Sequence, residues 1–99
     1  MLFTRDECFH LIAALETYND VPRNLFKPDV QNTVCSSALA KLNSMNIFTT
    51  FSKQEFTMMF ASVLFTIEIL DRKHLSVPDI LWTLHDKTGS LSQPDESSR

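Results

Sequence analysis

The side chains of this chain best suited to chemistry are its three histidines, His10, His74 and His85, and its two cysteines, Cys8 and Cys35. Zinc ligation asks for such residues in close, regular spacing, as in a Cys-x-x-Cys pair or two histidines four apart on a helix. Neither spacing occurs, so no metal and no cofactor is expected. Cys8 and His10 have the types of a nucleophile and its base, yet positions two apart on a helix lie about 200° apart around its axis and cannot meet. Asp71 with His74 and His85 with Asp86 have the composition of acid–base pairs. Adjacent or helix-terminal residues of these types are ordinarily solvated, and a surface role is expected for both. The single glycine, Gly89, excludes the glycine-rich loops that cradle phosphates and dinucleotides. The chain is therefore expected not to be an enzyme, and no small-molecule substrate is inferred.

Charge narrows the partners further. A formal net charge of −3 lacks the basic excess of a domain that neutralises many phosphates. The one basic cluster, Arg72-Lys73-His74, has the position of a charged helix terminus, which makes nucleic acid a poor partner. A small dimeric nucleic-acid-binding regulator using that cluster remains the alternative reading. The cysteines flank apolar helical positions and no secretory leader pattern opens the sequence, so reduced thiols in a cytoplasmic protein are expected. The longest apolar run, residues 56–70, is interrupted by Thr57, Ser62, Thr66 and Glu68 and is too short to span a membrane comfortably.

The elements that would position any site announce themselves by a repeated local grammar. Phe3-Thr4-Arg5-Asp6-Glu7-Cys8, Phe51-Ser52-Lys53-Gln54-Glu55-Phe56 and Leu75-Ser76-Val77-Pro78-Asp79-Ile80 each combine a capping hydroxyl, an acid three residues later and flanking apolar residues. That is the pattern of a capping box with a hydrophobic staple. Pro28 followed by Asp29 marks a fourth start. The second and third of these boxes also look like the exit half of an EF-hand, but the ligand half is missing. With Glu55 at the last loop position, Ser44, Phe48 and Thr49 fall where acid, oxygen ligand and glycine are needed, so calcium binding is not expected and no family is assigned.

Helices are predicted at about 4–18, 28–45, 52–72 and 76–87, forming one domain over residues 1–89. The segment 19–27 reads as a loop plugged by Leu25 and Phe26, and 47–51 as a short irregular connection. Gly89 reads as a residue just past a helix end, and 90–99 as a disordered polar tail. The fold class is all-α: a compact four-helix domain around a central, hydrophobic third helix.

That third helix is apolar on two sides. Phe56, Met59, Phe60, Val63, Leu64, Ile67 and Leu70 make a broad face, while Met58, Phe65 and Ile69 form a narrower stripe about 180° to 220° around the helix from Phe56. The stripe is either enclosed by neighbouring helices or offered outward. On the last helix Trp82 points away from the face shared by Val77, Ile80 and Leu84. The residues expected to bind a partner are Met58, Phe65, Ile69 and Trp82, since Met and Trp are frequent interface anchors. The functional expectation is a non-enzymatic protein–protein interaction module, a small regulator, adaptor or inhibitor, binding another protein or a second copy of itself.

Overall fold

Thr4 and Ser52 start helices by the same device. The Thr4 hydroxyl accepts from the Glu7 amide at 3.1 Å and the Glu7 carboxylate accepts from the Thr4 amide at 2.8 Å. Ser52 and Glu55 repeat the exchange at 3.1 and 2.7 Å. In the computed structural model, which describes residues 3–20, 28–46 and 48–92, these boxes open two of four helices. They are α1 (Arg5–Asn19), α2 (Pro28–Asn43), α3 (Lys53–Arg72) and α4 (Asp79–Ser92), with no strand among the described residues. The expected Leu25–Phe26 plug and the tail beyond residue 92 lie outside the described residues.

The third box does not form. Helix α4 begins at Asp79, two residues later than a Ser76 cap predicts, with the Leu81 amide donating to the Pro78 carbonyl at 3.0 Å. Had Ser76 been the cap, Val77 would be helical immediately before a proline, where the pyrrolidine ring disfavours the α conformation. The far end of α4 is also corrected. Gly89 lies inside the helix with no positive φ, and the helix continues to Ser92. A Cβ at residue 89 would stand 3.0 Å from the Phe60 ring, so the glycine permits close approach of α4 to α3 and ends nothing.

The α3–α4 turn is closed by backbone bonds instead. His74 donates to the Asp71 carbonyl at 3.0 Å and Leu75 to the Leu70 carbonyl at 2.9 Å. This is the Schellman arrangement, whose residue after the cap must enter the left-handed region. His74 does so at φ 58°, a position usually given to glycine.

Helix α3 packs against each of the other three helices, and α1 does likewise, whereas among the described residues α2 and α4 are not packed together. The core is the volume they share: Leu11 and Leu15 of α1, Cys35 and Ala38 of α2, Met59 and Val63 of α3, Leu84 of α4. Two electrostatic nodes pin it. The Glu7 carboxylate, already engaged by its cap, takes the Lys87 ammonium of α4 at 2.9 Å, and Glu55 takes that of Lys41 in α2 at 2.7 Å and the Ser37 hydroxyl at 2.8 Å. In each node the lysine also lies over the phenylalanine that precedes the cap, Lys87 5.4 Å from the Phe3 ring centre and Lys41 5.7 Å from that of Phe51. The two rings meet edge to face at 6.0 Å, so the starts of α1 and α3 are joined.

Candidate functional site

The four residues expected to form one docking surface are not brought together. Met58 is fully buried and Phe65 is only 8 % exposed, so this part of the stripe is enclosed and not offered outward. The covering element is α1, whose Tyr18 ring meets Phe65 edge-on at 5.6 Å. Ile69, at the other end of the stripe, is half-buried, and Trp82 is 47 % exposed on α4.

Ile69 lines an open groove of about 300 Å³ between α1, α3 and the start of α4. Ala13 and Thr17 form one wall, Ile69 and Leu70 the other, and Pro78 and Leu81 close it toward α4. The short side chains along α1 are what leave the space. The polar residues lining it turn their hydrogen-bonding atoms toward their own helices. The Thr17 hydroxyl donates to the Ala13 carbonyl at 2.9 Å, the Thr66 hydroxyl donates to that of Ser62 at 2.9 Å, and His10 Nδ1 lies 2.9 Å from the Asp6 carbonyl. What faces the groove is therefore largely hydrocarbon, suited to an apolar side chain. On the same helix Phe9 is 69 % exposed, its ring touching only the edge of His10 at 5.6 Å between centres among the rings described.

Trp82 belongs to a different surface feature. Its ring meets that of His85 at 5.8 Å, and His85 in turn lies against Phe60 at 4.9 Å, giving an aromatic row across the α3–α4 seam. His85 Nδ1 is 3.2 Å from the Asp86 carboxylate, which is itself exposed. Asp71, Arg72, Lys73 and His74 are all exposed at the helix turn.

The strongest electrostatics sit in the two nodes. Burial alone would raise the carboxyls of Glu7 and Glu55, but the cap amides and the lysines outweigh it and hold both below the ordinary glutamate range. Both are thereby kept ionised and saturated with donors, a structural condition and a poor one for shuttling protons. Spacing along the sequence does not pair Lys41 with Glu55 or Lys87 with Glu7, which are 14 and 80 positions apart. The signal that could have found them is the repeated Phe-hydroxyl-x-x-Glu pattern, which gives both glutamates one environment.

The thiols are similarly placed for packing. Burial pushes Cys35 up to about 11, and burial with the nearby Glu7 charge raises Cys8, whose sulfur lies 3.5 Å from the Met45 sulfur. Cys8 and His10 thus have separate partners. Among the described residues no group of three or more His, Cys, Asp or Glu side chains converges on a point, and no helix is long and apolar enough to cross a membrane. The chain matches no protein-family model, no curated protein and no solved structure with which it was compared.

Proposed function

We propose that this chain is a non-enzymatic protein–protein interaction module, a small regulator, adaptor or inhibitor that receives an apolar side chain of its partner in the groove between α1, α3 and α4. The observation that carries the reading is the groove itself: about 300 Å³, open, and lined mainly by hydrocarbon, with its two threonine hydroxyls already engaged by their own helices. Burying hydrocarbon there gains roughly 25 cal/mol per Å² while the Thr17 and Thr66 hydroxyls keep their partners. Of the four residues first expected to bind, Ile69 stays in this reading as a groove wall. Trp82, four residues beyond Pro78, is a second exposed anchor, and Met58 and Phe65, being buried, drop out of the binding surface.

A photo-crosslinking residue at position 13 tests it, with position 36 on α2 as control, since Ala13 and Ser36 are both exposed. In the protein's native cells, position 13 should yield a discrete covalent adduct and position 36 none. No adduct from position 13 under conditions that label a known interface would overturn the reading.

A further inference from the structure

We infer that the partner in the groove is a second copy of this chain, docked about a two-fold axis with the two α1 helices antiparallel, so that each Phe9 enters the groove of the other copy. The inference rests on the interaction reading above and names its occupant. Knob and hole lie on one helix: Phe9 is 69 % exposed, and Ala13, which walls the groove, stands one turn further on. A two-fold interface requires a surface complementary to itself, and a knob beside a hole is such a surface, since one rotation fills both holes at once. Ala13 lets the helices approach closely, and residues four apart share a face.

Charge selects the antiparallel arrangement. Arg5 and Glu16 flank Phe9 on the same side of α1, four residues before it and seven after, and both are exposed. Neither forms an ion pair with a described residue. An antiparallel pair whose axis passes between Phe9 and Ile12 sets Arg5 of each copy opposite Glu16 of the other, making the pairing reciprocal. A parallel pair would set arginine against arginine. Asp6 is exposed too, on the groove side of Phe9 and opposite the side that carries Arg5 and Glu16. Burial of one helix face per copy is at the small end of specific interfaces, so a weak, concentration-dependent dimer is expected.

Sedimentation equilibrium of the full chain, from micromolar to millimolar, tests this directly. The parent should show a monomer–dimer equilibrium. Phe9→Glu, an exposed change, should keep its helical signal and weaken association by at least about tenfold, as expected for loss of a central anchor. Arg5→Glu and Glu16→Arg should each weaken it, and the double variant, which restores the opposite charges, should recover it. A parent that stays monomeric overturns the inference, as does a dimer indifferent to Phe9→Glu or a charge swap without recovery. The mass of the adduct from position 13 separates the two levels. Twice the chain's mass supports a second copy, a foreign adduct alone overturns the dimer while leaving the interaction reading intact, and no adduct overturns both.

Discussion

A carboxylate at position 65 would lie against the Tyr18 ring in a site that is 8 % exposed. An unpaired charge there is expected to cost several kcal/mol, a large part of what holds a small domain together. Phe65→Asp should therefore be unfolded or aggregated by circular dichroism, whereas Trp82→Asp, on a half-open surface, should melt close to the parent. The hydrophobic pattern makes Met58, Phe65 and Ile69 visible as a stripe, but a pattern on one helix does not say which neighbour covers it. That depends on the path of α1, which tertiary packing decides. His74 offers the opposite sign. A non-glycine side chain in the left-handed region costs about 1 kcal/mol, and glycine relieves it at some expense in unfolded-chain entropy. His74→Gly should raise the melting temperature by up to about 4–8 °C, read by calorimetry. No change would mean that the turn holds no strain at that residue.

At the level of helices, the three hydroxyl starts predict unequal effects. Thr4→Ala and Ser52→Ala should each destabilise by about 0.5–2 kcal/mol, because each removes a cap that is formed, while Ser76→Ala should be nearly neutral because α4 begins at Asp79. Denaturant titration of the three variants measures the ranking. Acid should act on the same helix starts. The folded-state carboxyls of Glu7 and Glu55 lie below their unfolded values, so the stability they supply is fully present above about pH 4.5 and is lost as pH falls through their depressed range. Melting temperature should drop on acidification below that point, and Glu7→Gln with Glu55→Gln should flatten the drop. Helix number and order were legible because capping is a local, sequence-encoded event. Both ends of α4 were misplaced for non-local or steric reasons: Pro78 vetoes a helical Val77, and Gly89 is required by the Phe60 ring of another helix. The groove was illegible for the same reason, as it exists only where three helices diverge, although one of its lining residues, Ile69, belongs to the stripe that the sequence pattern shows.

Across the whole molecule, the two carboxylate–lysine nodes are alike in chemistry and opposite in reach. Lys41 and Glu55 are 14 positions apart, whereas Lys87 and Glu7 are 80 apart. Closing the longer span costs roughly 1.5 kcal/mol more chain entropy on the logarithmic scaling of loop length, and it needs α4 to be in place. During synthesis the α2–α3 node can form while much of the chain is unmade, but the α1–α4 node must wait for residue 87. The two lysines thus act as markers of early and late assembly. Lys41→Met should slow refolding, since it removes a contact made before the rate-limiting step, whereas Lys87→Met should leave refolding nearly unchanged and speed unfolding. Stopped-flow chevrons for the two variants read this difference, and equal effects on both limbs would mean the nodes close together. If the order holds, the bond between the first helix and the last is a latch: it does little to guide the chain home but sets how long the finished molecule stays folded.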